Sequence, residues 1–137
     1  MSTVQEKISI TAPTCHYAFG ATNIPDSTGN AFASEPTSPD YIMPWAGSVV
    51  AIAVRSNADY TDGVLTFNPT IDGTANTSLG TTMDDTLQSN YAVKPQDTIR
   101  FAAGARLGVA WTKSGTVAPT TTDAAISLYV VFENAIV

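Results

Sequence analysis

Apolar side chains in this chain recur at every second residue rather than every third or fourth, and that spacing restricts the fold more than any other feature. From Ile126 to Phe132, the residues Ile126, Leu128, Val130 and Phe132 point one way while Ser127, Tyr129, Val131 and Glu133 point the other, the pattern of a strand with one face in a core. Arg106 to Thr112 repeats it, with Leu107, Val109 and Trp111 alternating against Gly108, Ala110 and Thr112. Helical spacing is scarce, because Gly or Pro interrupts most windows long enough to hold a helix.

Gly47 to Arg55 reads differently. Val49, Ala51 and Ala53 fall on one side and Val50, Ile52 and Val54 on the other, leaving no polar face, so the pattern predicts a strand covered on both sides. The second cover is a loop, the N-terminal segment or another subunit, and the last option makes Val50, Ile52 and Val54 a candidate subunit interface. Val64 to Thr70 is a further strand bracketed by Asp62-Gly63 and Asp72-Gly73, two turn signals that suggest a hairpin-connected meander. Thr98 to Ala103 continues the series after a turn at Pro95. Thr81 to Tyr91 fits a strand or a two-turn helix, since Met83, Leu87 and Tyr91 stand four apart.

The first third is less regular. Val4 to Thr11 forms one strand pattern, with Val4, Glu6, Ile8 and Ile10 on a single side, after which Pro13, Pro25, Pro36, Pro39 and Pro44 break the chain up. Ala21 to Asp40 is a long loop, and loops above about 15 residues are usually functional or mobile. Ile42 to Trp45 anchors its end. The expectation is an all-β, two-sheet antiparallel sandwich of jelly-roll type, with an irregular N-terminal arm and long loop. Residues 1–43 are the N-terminal strand and Pro-rich loop, packed on a jelly-roll core at 44–137, in a single domain overall. The immunoglobulin alternative lacks its cysteine pair around a tryptophan.

Charge narrows the function classes. Charged residues make up 13% of the 137, against about 25% in ordinary soluble domains, so the surface is built of hydroxyls, amides and small side chains and favours an oligomer. A net charge of -6 with six basic residues argues against nucleic acid, whose affinity rests on Lys and Arg. Met1 to Lys7 does not lead into an apolar secretory run, nothing approaches about 18 consecutive apolar residues, and one cysteine allows no intrachain disulfide. Folding in a reducing cytoplasm away from membranes fits these features.

No constellation points to catalysis, a metal or a cofactor. His16 is the one histidine and follows Cys15 directly, so on a strand their side chains face opposite ways; a small buried thiol beside a surface imidazole is the plain reading. One Cys and one His cannot assemble a zinc site. Asp84-Asp85 reads as a solvated loop. Asp59, Asp62 and Asp72 could contribute to a calcium site, although their spacing does not match an EF-hand and turns already account for Asp62 and Asp72. Gly104 to Gly108 lacks the phosphate-loop Lys, and Asn76-Thr77-Ser78 is a chance acceptor match. Tyr41, Trp45 and Tyr60 are candidate platforms for stacking on sugar rings.

The stretches Ala46–Ser56, Gly63–Phe67, Thr70–Thr74, Phe101–Val109 and Ile126–Glu133 together resemble the small jelly-roll modules of tailed bacteriophage virions, found in trimeric capsid decoration proteins and in head-fibre or tail-fibre tips. The resemblance runs from Pro44 to Glu133. It implies a homotrimer that is assembled in the host cytoplasm, sits on the capsid surface and clamps the major capsid protein lattice against internal pressure, without cofactor or enzymatic activity. It also implies attachment by a terminal arm, which makes Val4, Ile8 and Ile10 candidates for strand addition to a capsid subunit. The alternative it carries is a carbohydrate- or receptor-binding module of a phage fibre.

Overall fold

The structure is a computed structural model and describes residues 14–22, 29–31, 40–58, 60–119 and 122–133. The strands run in order as β1 (Thr14–Ala21), β2 (Gly29–Ala31), β3 (Tyr41–Ile42), β4 (Gly47–Ser56), β5 (Asp62–Ile71), β6 (Thr74–Ala75), β7 (Thr81–Met83), β8 (Ser89–Val93), β9 (Arg100–Phe101), β10 (Arg106–Ala118) and β11 (Ala124–Phe132). One sheet has the order β1-β11-β4-β8, with β9 also on β4; the other has β2-β10-β5-β6, with β3 on β10 and β7 on β5.

The pairings nest. The first strand pairs with the last, β2 and β3 pair with β10, β4 pairs with β8 and β9, and β5 pairs with β6 and β7, all antiparallel. A long hairpin rolled into two facing sheets gives this order, which is the jelly roll. Alternation supplies the core between the sheets. Phe19, Val49, Ile52, Val54, Ile126, Leu128 and Val130 from the first sheet meet Leu65, Phe67, Met83, Leu107, Val109 and Trp111 from the second, all at 6% exposure or less.

Several expectations change. Within the irregular first third, Thr14–Ala21 is a regular strand, since β1 pairs along its whole length with β11 and contributes Phe19 and Ala21 to the core. The 21–40 stretch is not all loop, since Gly29–Ala31 pairs with Val109–Trp111. Asp62-Gly63 opens β5 instead of turning a hairpin, so β4 and β5 cross between sheets and form no meander. Asp72-Gly73 is the hairpin turn expected, with φ of 52° and 84°, the left-handed pair that a two-residue turn requires. The helical option for Thr81–Tyr91 is excluded: Met83 is in the core, Tyr91 is outside, and a turn at Asp84–Leu87 separates two strands.

The strand Gly47–Ser56 departs from simple alternation for a specific reason. Tyr129 lies opposite Ala51 and Val130 opposite Val49, so Val50 is an extra residue, a β-bulge that shifts the inward phase by one. Val49, Ile52 and Val54 therefore all face inward at 3% exposure or less. The second side is occupied by Ala51 and Ala53 and is not covered by a loop of this chain among the described residues. Ile52 and Val54 are spent on the core, and neither is available to a second subunit.

Candidate functional site

The outward positions of the first sheet line up in three rows. His16, Tyr129, Ala51 and Val93 are successive cross-strand partners, as are Ala18, Ser127, Ala53 and Tyr91, and then Gly20, Ala125, Arg55 and Ser89. His16 and Tyr129 stand together at one end of the first row, Val93 and Tyr91 close the first two rows at the other, and Ala51, Ala53, Ala125 and Ser127 lie between them, so the face holds a shallow trough between two raised sides, with Arg55 in its third row. On one rim the His16 and Tyr129 rings stack at 5.3 Å and 27°, with His16 Nε2 3.0 Å from Ser127 Oγ. On the other, Tyr91 and Val93 are 71% and 65% exposed. The floor over Ala53, Ser89, Asn90, Ala125 and Ser127 opens a volume of about 470 Å³.

Contiguous exposed apolar surface of this kind marks an interaction site rather than a solvated face. Its electrostatics point the same way. Among the outward residues of the three rows Arg55 is the one full charge, although the chain carries -6. Arg100 pairs with Glu133 at 2.8 Å and Arg106 lies 3.9 Å from both Asp40 and Asp72, whereas Arg55 makes no ion pair among the described residues. The outer side of the other sheet is different in kind: Thr66, Thr112, Asn68 and Thr70 occupy its outward positions, Asn68 and Thr70 at 6% and 4% exposure, and Ile42 is exposed on it at β3.

The structure separates the three candidate sugar platforms. Tyr60 is 2% exposed, its ring inside the core, where burial pushes its hydroxyl up to about 12. The Tyr41 hydroxyl donates to Ala18 O at 3.0 Å, and its ring packs on Tyr17 and Phe19 at 4.9 and 5.3 Å, clipping β3 to β1. Trp45 alone of the three is an exposed ring, edge-on to Phe132 at 5.5 Å. Val4, Ile8 and Ile10 lie outside the described residues, as does Asp59.

The polar candidates have local roles. Cys15 is exposed, not buried, and sits on the face opposite His16; burial together with the neighbouring Cys15 pushes Tyr17 up to about 12. Asp62 Oδ1 accepts from Gly63 N and Asp72 Oδ1 from Arg106 N, at 2.8 and 2.9 Å. Asp84 Oδ1 accepts from Thr86 Oγ1 and N at 2.7 and 2.8 Å, and these bonds hold its carboxyl below the usual value. Asn76 caps a single 3-10 turn over Thr77–Leu79. Among the described residues no three His, Cys, Asp or Glu side chains gather as a metal site.

The trough itself was missed in the sequence. Its signal was present in the exposed half of each alternation, where Ala51, Ala53, Ala125, Ser127 and Tyr129 replace the charged residues that a solvated strand face carries.

No protein-family model matches the chain, and no curated protein matches it in sequence. Chains of solved phage capsid structures share the fold. One is a chain of the acid-stable capsid of Helicobacter pylori bacteriophage KHP30, with a TM-score of 0.57 at 7% identity over 93% of this chain and 94% of that one. Another is a chain of the cyanophage Pam1 capsid asymmetric unit, with a TM-score of 0.51 at 14% identity over 97% and 98%. At these identities the likeness is one of fold, and it extends from end to end of each chain.

Proposed function

We propose that this chain is a structural protein of a bacteriophage virion, a decoration protein that binds the major capsid protein lattice as a homotrimer and stabilises the shell. The observation that carries this reading is the end-to-end match to chains in two phage capsid structures, with 94% and 98% of those chains covered. Equal coverage on both sides means that a chain of about this length and fold is present in both capsid structures. The trough supports the oligomer, because a face whose one full charge is a cation, on a chain of -6, allows copies to meet without the repulsion of the chain's excess acids. Three copies around an axis multiply weak lattice contacts, since the second and third attachments become intramolecular and raise avidity by about 10² to 10⁴.

Size exclusion with light scattering is expected to give about three times the 14.3 kDa chain mass. Purified protein added to shells of the same virus stripped of it is expected to co-sediment and to raise the temperature at which they rupture. A folded protein that neither sediments with the shells nor alters their rupture temperature would sink the reading.

A further inference from the structure

We propose that the trough on the outer face of the first sheet is filled by the N-terminal segment Val4–Ile10 of a neighbouring copy, laid down as an extended strand with Glu6 against Arg55. This rests on the homotrimer reading, because it requires more than one copy.

Three observations select this occupant. First, the side-chain spacing fits. The trough has a floor of Ala53, Ala125 and Ser127 between aromatic rims, room for aliphatic side chains at two-residue spacing, and Val4, Ile8 and Ile10 present that spacing on one side of the segment. Second, the charges are complementary. The trough carries one full charge, Arg55, without an ion-pair partner among the described residues, and the apolar side of the segment carries one, Glu6. A single guanidinium on an otherwise neutral face also sets the register, since a slip of one residue would turn Gln5 or Lys7 towards it.

Third, the length of the chain argues for a neighbour's segment over its own. Thr14 lies at the Val131–Ser48 end of the sheet and Arg55 at the Gly20–Ala125 end. Six residues along β1 at about 3.3 Å each and two strand spacings of about 4.8 Å put the two ends roughly 22 Å apart on the diagonal. Glu6 precedes Thr14 by eight residues. Reversing the chain back over the sheet uses about four of them in a turn, and the rest span only about 13 Å. In its own subunit Glu6 then meets Arg55 only at the full reach of both side chains. A neighbour's segment, arriving from outside, has no such limit.

Charge reversal in the full-length chain tests this. Arg55→Glu and Glu6→Arg are each expected to weaken self-association by about tenfold or more, measured by sedimentation, because each sets like charges face to face. Arg55 is exposed, so the melting temperature of the dissociated chain should not change. Glu6→Arg with Arg55→Glu in one chain is expected to restore assembly. The deciding arm mixes the two single variants: if the contact runs between copies, the mixture recovers assembly in part, because two of the three contacts in a mixed trimer set opposite charges together while the third does not. Rescue by the double variant with none on mixing would overturn the inference by placing the segment on its own subunit. Wild-type association in both single variants would also overturn it. Co-sedimentation with shells is scored separately, so a trimer that binds capsid through some other contact would refute the segment's placement while leaving the decoration reading intact.

Discussion

The His16 ring lies over the Tyr129 ring, with centroids 5.3 Å apart, from directly opposite positions on the first and last strands of the fold. Because the two strands meet at the exposed edge of the sheet, this stack and the His16–Ser127 contact are what fasten β1 from outside. A double-mutant cycle with His16→Ala and Tyr129→Ala is expected to give a coupling of about 0.5–1.5 kcal/mol in urea unfolding, the usual worth of an aromatic pair beyond its buried area. A coupling near zero would mean that the edge is held by its backbone ladder alone.

Gly47 is expected to tolerate no side chain. A Cβ there would run into Val131 O and lie 2.9 Å from the Phe101 ring, and the nearest atom is backbone that cannot step aside. Gly47→Ala should cost about 1–3 kcal/mol or more by urea unfolding. Gly20, on the outer face, is the control: a methyl added there would meet nothing within 4 Å, and Gly20→Ala should stay within about 0.5 kcal/mol.

The bulge at Val50 yields a paired prediction. Ile52, at 0% exposure, faces the second sheet, and Ile52→Ala should cost about 2–5 kcal/mol. Val50, displaced from the ladder and half-buried, should lose clearly less on Val50→Ala. Equal losses in thermal or urea unfolding would contradict the phase shift.

Tyr60 carries a hydroxyl with no hydrogen-bond partner among the described residues, in a side chain 2% exposed. Tyr60→Phe is expected to raise stability at neutral pH by about 1 kcal/mol, because it removes a buried polar group that nothing satisfies. The pH dependence follows from the raised value. Burial holds the folded hydroxyl at about 12 against 10.0 unfolded, so stability is full below pH 10 and falls as pH rises towards 12. The variant should show a shallower alkaline fall in urea midpoint, with Tyr17, raised for the same main reason, supplying part of what remains.

How far the sequence reveals this molecule depends on whether a residue acts through its own strand or through another's. Strands with uninterrupted alternation, Ile126–Phe132 and Arg106–Thr112, were legible with the correct inward faces, and so was the Asp72-Gly73 turn, because each is decided within a few residues. The bulge at Val50 was not, since it exists only against Tyr129 and Val130 of a strand almost eighty residues away; reading straight alternation through it put Val49 on the wrong side and sent Ile52 and Val54 to a surface they do not occupy. Tyr41 and Tyr60 looked like free rings for the same reason. Their neighbours Ala18, Tyr17 and Phe19, and the core that closes over Tyr60, belong to other elements of the sandwich.

The nested order also dictates when the protein can fold. His16 and Ser127 are 111 positions apart, yet β1 has no lateral neighbour in its sheet other than β11 among the described residues. β1 must therefore wait for β11 to leave the ribosome before it can pair, and closing so large a loop makes this docking slow. Refolding is expected on the scale of milliseconds to seconds, with the last step lost on His16→Ala in a stopped-flow trace, and a microsecond transition would contradict this order of events.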